Sequence, residues 1–353
     1  MIDTKKIADA IEIRSRIDTR LRIIFDSKIA ESAKLHQNYA RLWRESAQLM
    51  FAGGKRLRPY LTVLIFRAYG GTSAAIYQAA AAQELLHLSL LIHDDIMDHD
   101  LIRHGQPNLA GKYIEHYVTD QEPRHLATSA AILAGDLLLA AAHHQLYAAD
   151  FETGRLRDAG AAFDRSIFEV AGGQLLDMEA HLETGNPQDS LLVARLKTAS
   201  YSFVGPLHMG AVLAGASTSE LEILEQLGNA LGTGYQLADD VLGVYGDETV
   251  IGKPSLSDIR EGKSTYLIRL ALAKSLPGDR SWLELHWGNA SSTPADLSHA
   301  REIIESSGAR AAVDSVMQEC RKKADDYIAL LNIDVTYKNA LHDFAERSIW
   351  RKF

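Results

Sequence analysis

The sequence predicts an all-α protein, on three observations. Prolines are few, long stretches are rich in Ala, Leu, Glu, Gln and Arg, and runs alternating apolar with polar residues between turn residues are scarce. With only 8 prolines in 353 residues, long helices can run without interruption. Apolar periodicity places them over about residues 5 to 50, 58 to 70, 74 to 98, 123 to 150, 155 to 183, 189 to 216, 219 to 245 and 262 to 276, with shorter helices following. Turn chemistry separates them at Gly53-Gly54, Gly70-Gly71, Asn186-Pro187 and Lys253-Pro254. Ala79 to Ala82 and Ala140 to Ala142 lack bulk and suit close packing in the middle of a bundle. None of the breaks has the composition of a flexible linker, so residues 1–353 read as a single domain.

Composition excludes several function classes. An apolar content of 46% is ample for a large core, which rules out global disorder. The formal charge of −9 argues against nucleic acid as a partner, because phosphate backbones require clustered Lys and Arg. The lone Cys320 allows neither an internal disulfide nor a thiolate cage, and reads as a helix residue without chemistry. The N-terminus lacks the pattern of a leader, and no apolar run of about 18 residues is free of charge. The expectation is a soluble, cytoplasmic protein with no stable membrane insertion.

The first chemical signal is LLHLSLLIHDDIMD, Leu85 to Asp98, an apolar stretch ending in three carboxylates. On a helix Asp94 and Asp98 lie one turn apart on one face with Asp95 alongside. Like charges gathered at the end of a buried helix call for a divalent cation, and oxygen-only ligands point to Mg²⁺. By contrast, Asp325-Asp326 sits in the charged stretch RKKADDY with no third carboxylate, and reads as surface.

The second signal is GYQLADDVLGVYGDETVIGKP, Gly234 to Pro254, where Gln236 precedes Asp239 and Asp240 by about one turn. Lys197, Lys253 and Lys263 offer positive charge near it in sequence. A third is AGGKRLRP, Ala52 to Pro59, in which Lys55, Arg56 and Arg58 converge just before a helix and suit a diphosphate held without metal.

Taken together, GGKRLRP, HDDIMD, GQLLDME, KTA, YQLADD and GKP resemble, in order and spacing, the motifs of trans-isoprenyl diphosphate synthases over about residues 50 to 270. DDVLGVYGDETVIGKP looks most like the geranylgeranyl diphosphate synthase group common in actinobacteria. The resemblance implies one large helical bundle of the isoprenoid synthase type with a central active-site cavity. It also implies condensation of isopentenyl diphosphate with allylic diphosphates, three Mg²⁺ ions and a homodimer. Carried over by position, it assigns Asp94, Asp95, Asp98, Asp239 and Asp240 to the metal-bound allylic diphosphate, with Arg103, Lys197, Lys253 and Lys263 contacting that diphosphate. Lys55, Arg58 and His87 fall to isopentenyl diphosphate, and Thr198 and Gln236 to the zone of bond formation.

Two positions depart from the family pattern. Gly243 stands where a third aspartate of the second motif is usual, and Asp247, eight residues after Asp239, would return to nearly the same face if the helix continued. Asp247 is therefore expected to supply the missing ligand. His104 replaces the second of two arginines and is expected to make isopentenyl diphosphate binding depend on pH.

Chain length is expected to depend on the wall leading into the first motif. Ser89 lies five residues upstream of Asp94, about 7.5 Å deeper by helical rise. The resemblance implies that a small residue there lets the chain grow past farnesyl, with Leu85 and Leu86 as the next floor. Geranylgeranyl diphosphate is the favoured product, ahead of farnesyl or longer diphosphates of C25 or more. A class I terpene cyclase is the nearest rival, since positions 239, 243 and 247 reproduce its metal spacing, but the basic turn serves a second diphosphate that a cyclase lacks. A noncatalytic synthase subunit is the remaining alternative, and it would normally have lost aspartates.

Overall fold

The computed structural model describes residues 4–103, 105–180, 186–246 and 257–349. Apart from a two-stranded hairpin, the regular structure among the described residues is helical, as the composition predicts. Contacts divide the chain into two compact units, one of residues 1–160 with 209–215 and one of 161–208 with 216–353.

In the first unit, α1 (Thr4–Leu35) and α2 (Gln37–Phe51) replace the single helix expected over 5 to 50. His36 is extended between them, and its ring nitrogen accepts the Asn38 amide at 3.1 Å, which starts a new helix. After α3 (Leu57–Ala68) comes α4 (Ile76–Met97), buried along most of its length, including Ala79 to Ala82, Leu85 and Leu86. The strands β1 (Ile102–Arg103) and β2 (Gln106–Pro107) pair antiparallel, Arg103 opposite Gln106. They are followed by α5 (Leu109–His116), a short helix absent from the periodicity reading, and by α6 (Pro123–Tyr147). α4 packs chiefly on α6, and small residues of α6, such as Ala131, Ala134 and Gly135, permit the close approach.

α7 (Thr153–Glu179) begins in the first unit and continues into the second. α8 (Pro187–Val193), an 11-residue π-helix (Ala194–Val204) and α9 (Gly205–Ala214) fill the span expected to be one helix over 189 to 216. α10 (Thr218–Tyr245) is N-capped by Ser217 and packs on the π-helix and on α15 (Ala309–Leu330). The intervening elements are α11 (Ser257–Glu261), α12 (Tyr266–Lys274), α13 (Pro277–His286) and α14 (Pro294–Ser306); α16 (Val335–Ser348) follows α15. Leu237, Val241 and Val244 on α10 form a core with Leu267 and Ile268 on α12, Ile303 and Ile304 on α14, and Val313 on α15. Each such fully buried side chain contributes about 1.5–3 kcal/mol relative to exposure. This anchors the helix that carries Gln236, Asp239 and Asp240.

Cys320 is buried on α15 with its thiol pushed up to about 11 by burial, which makes it unreactive. Asp325 and Asp326 are exposed, as expected.

Candidate active site

The first carboxylate group lies where α4 ends. Asp94 is in the last turn and Asp98 is the C-cap, its amide bonded to the Asp94 carbonyl at 2.9 Å, so the two stand one turn apart. His99 then adopts a left-handed conformation, φ 58°, which breaks the helix. The chain enters the β1–β2 hairpin, and Arg103 returns to the helix end. Its Nη2 donates to Asp95 Oδ1 at 2.5 Å and its Nε to the same oxygen at 3.0 Å. The Asp95 side chain is only 5% exposed; burial pushes its carboxyl up, and Arg103 opposes that shift. Asn108, fully buried, holds this turn by donating to the Asp100 carbonyl at 2.7 Å and accepting the Gly111 amide at 2.9 Å.

The AGGKRLRP turn separates its cations. Lys55 is exposed and Arg58 half-buried, but Arg56 points inward, bonded to Asp18, Glu84 and the Met50 carbonyl. Arg56 is thus removed from the three basic side chains expected to converge, because it is neutralised inside the fold. His87, on α4, feels burial first and then the positive fields of Arg58, Arg103 and Arg56, and is held well below its ordinary value of 6.5. It is neutral at pH 7.

Upstream on α4, Ser89 is buried and its hydroxyl donates to the Gly135 carbonyl of α6 at 2.8 Å. Leu85 and Leu86 are fully buried.

The second unit gathers the remaining candidates around the π-helix. Insertion of a π turn widens the helix and frees backbone groups, a feature that recurs at functional sites. Glycines on both flanks allow it: a Cβ on Gly173 of α7 would lie 2.4 Å from the Lys197 amide nitrogen, and one on Gly232 of α10 2.3 Å from the Ala199 Cα. Lys197 Nζ meets Asp177 at 2.7 Å. Thr198 Oγ1 donates to Gln236 Oε1 at 2.6 Å, and Gln236 Nε2 donates to Asp240 Oδ1 at 2.8 Å. Asp240 is 7% exposed, whereas Asp239 is open to solvent. Lys263 pairs with Glu261 at 3.0 Å, and its carbonyl accepts the Trp287 indole N–H at 2.9 Å, which pins the loop.

Asp177 belongs to the GQLLDME motif, and spacing alone does not reveal its pairing with Lys197. His104, Asp247 and Lys253 lie outside the described residues. Within the described residues, α10 ends at Tyr245 and Gly246 is extended.

The donor sets fit Mg²⁺ in kind. Asp94, Asp98 and Asp239 offer hard oxygen ligands at the surface, and among the described residues no three His, Cys, Asp or Glu side chains form a ready cage. Mg²⁺ retains waters and is completed by substrate phosphates, so one or two carboxylates at each place suffice.

The sequence profile of the polyprenyl synthetase family matches residues 40–304. A geranylgeranyl diphosphate synthase of Sulfolobus acidocaldarius is 35% identical over 268 residues, covering 75% of this chain and 77% of the relative. A geranylfarnesyl diphosphate synthase of Aeropyrum pernix is 35% identical over 297 residues, covering 82% and 87%. The crystal structure of the geranylgeranyl pyrophosphate synthase of Corynebacterium glutamicum, complexed with isoprenyl diphosphate and magnesium, aligns with a TM-score of 0.89 at 30% identity, over 95% of this chain and 98% of that one. The chain belongs to the polyprenyl synthetase family and is a prenyl diphosphate synthase with the all-α isoprenoid synthase fold.

Proposed function

We propose that this enzyme condenses isopentenyl diphosphate with dimethylallyl, geranyl and farnesyl diphosphates, with geranylgeranyl diphosphate as the main product. The observation that supports the reading is the coexistence in one chain of a basic turn and two carboxylate groups. A basic turn backed by His87 needs no metal, while the carboxylates Asp94, Asp95, Asp98, Asp239 and Asp240 suit a diphosphate that arrives with Mg²⁺. The family match crosses the boundary between the two compact units, which supports one catalytic domain.

In this reading Lys55, Arg58 and His87 bind isopentenyl diphosphate and orient its double bond. Arg103, Lys197, Lys253 and Lys263 bind the allylic diphosphate and stabilise charge as its C–O bond breaks. Mg²⁺, three ions in this proposal, supplies further neutralisation of the leaving diphosphate when bound. Thr198 and Gln236 line the region where the allylic carbon, now cation-like, is attacked by the isopentenyl double bond. The resulting tertiary cation loses a proton to the released diphosphate, restoring an alkene.

Exposed apolar side chains support a homodimer as the working form, Phe168 and Leu175 on α7 and, in the other unit, Ile132 and Leu133 on α6. α6 is the one described helix long and apolar enough to cross a membrane, but it carries Asp136 and packs on α4, which favours a soluble, cytoplasmic enzyme.

The test is product chromatography with each allylic starter, isopentenyl diphosphate and Mg²⁺. Accumulation of a C20 diphosphate is expected, and a C15 or C25 endpoint overturns the length. Conversion of geranylgeranyl diphosphate alone to a hydrocarbon would establish the cyclase instead, and inactivity of the pure chain the noncatalytic subunit.

A further inference from the structure

Arg56 is a charged residue in the middle of the basic turn that is withheld from solvent, being 7% exposed. Its backbone is left-handed, φ 54°, a conformation that non-glycine residues adopt only when the surroundings enforce it. The guanidinium provides the enforcement. Nε donates to Asp18 of α1 at 2.8 Å, Nη1 to Glu84 of α4 at 2.9 Å, and Nη2 to the Met50 carbonyl of α2 at 2.8 Å. Three helices are thereby joined at one residue of the turn.

The neighbours of these groups give the junction its meaning. Lys55 precedes Arg56 directly, and Arg58 follows in the first turn of α3. Glu84, itself 3% exposed, lies three residues before His87, about one turn along the same helix. The Arg56–Glu84 bond therefore ties the turn bearing Lys55 and Arg58 to the helix bearing His87. We propose that Arg56, with Asp18 and Glu84, is a positioning unit that sets the spacing of Lys55, Arg58 and His87 and so governs affinity for isopentenyl diphosphate without touching it. Asp18 and Glu84 already match the charge of Arg56 inside the fold, and its Nε, Nη1 and Nη2 all donate to protein groups. A diphosphate site depends on such support, since small displacements of its cations lose the geometry that binding requires.

This inference rests on the assignment of Lys55, Arg58 and His87 to isopentenyl diphosphate, and steady-state kinetics can separate the two. Lys55→Ala tests the assignment: an unchanged KM for isopentenyl diphosphate removes it. The double variant Arg56→Met/Glu84→Met tests positioning, because replacing a buried ion pair by apolar residues of similar volume is often neutral for stability. Its KM for isopentenyl diphosphate is expected to rise about tenfold or more, while the allylic KM and kcat stay within about twofold of the parent. Asp18→Asn, at a partly exposed position, keeps the proposal testable if the double variant fails to fold, and about a threefold rise in the same KM alone is expected. Positioning is refuted if Lys55→Ala raises the isopentenyl KM and these variants leave it unchanged, or raise both KM values together. It is equally refuted if Glu84→Gln tightens isopentenyl diphosphate, since that would mean a released Arg56 binds substrate directly.

Discussion

Replacing Gln236 by Leu isolates the way in which the second carboxylate pair is held. Gln236 accepts from Thr198 at 2.6 Å and donates to Asp240 at 2.8 Å, so its amide links the π-helix to a carboxylate only 7% exposed. Leu preserves much of the volume and removes both bonds. A hydrogen bond to an ionised group is worth about 1.5–3 kcal/mol net. If that orientation is needed in the transition state, kcat/KM for the allylic substrate falls about 10- to 150-fold. The Mg²⁺ concentration giving half-maximal rate should rise, with the isopentenyl KM unchanged. Initial rates against Mg²⁺ and each substrate, with the thermal midpoint as a folding control, provide the assay. Gln236→Glu is predicted to be worse near neutral pH, because it sets a second negative charge beside Asp240. A folded Gln236→Leu enzyme within about threefold of the parent at limiting Mg²⁺ would refute the orienting role.

At Ser89 the hydroxyl bonded to Gly135 makes Ser89→Ala lose about 0.5–1.5 kcal/mol of stability, with no shortening of product; Ser89→Phe is expected to shift product toward C15 at an overpacking cost of about 1–3 kcal/mol. An unshifted distribution in a folded Ser89→Phe enzyme removes the residue from the chain-length wall. His87 is held well below 6.5 by burial and by Arg58, Arg103 and Arg56, so protons bind the unfolded chain preferentially. Its contribution leaves stability unaffected above about pH 6.5 and reduces it as pH falls below that, by up to about 1.4 kcal/mol per pH unit. His87→Gln should flatten the pH dependence of urea midpoints between pH 5 and 7, and parallel slopes would contradict this. Arg103→Ala leaves the buried Asp95 without its partner and should cost about 3–5 kcal/mol. Millimolar Mg²⁺ is expected to restore part of that loss by supplying the missing positive charge, and a Mg²⁺-independent thermal midpoint would show that the ion does not reach Asp95.

Much of the fold was legible because helix periodicity is a local property. α3, α4, α6, α7 and α10 begin and end within a few residues of the apolar pattern. The errors fall where local periodicity does not decide. The break at His36 depends on one cap bond, and α5 is positioned by Asn108 bonding back to Asp100. The π-helix over Ala194–Val204 has the composition of an α-helix; the glycines on its neighbours, Gly173 and Gly232, allow close packing around the widened turn.

The site divides in the same way. Residue types and spacing alone identified Asp94, Asp95 and Asp98 as an acidic helix end, Gln236 with Asp239 and Asp240 as a second, and Lys55 to Arg58 as a basic turn, because each lies within a few residues of chain. Tertiary structure alone decided which charges are available and which are already matched. Arg103 closes on Asp95, Lys197 on Asp177, and Arg56 on Asp18 and Glu84, across separations of 8, 20, 38 and 28 residues. Buried ions must find partners wherever the fold provides them, and those distances are set by helix packing, which a linear motif does not contain.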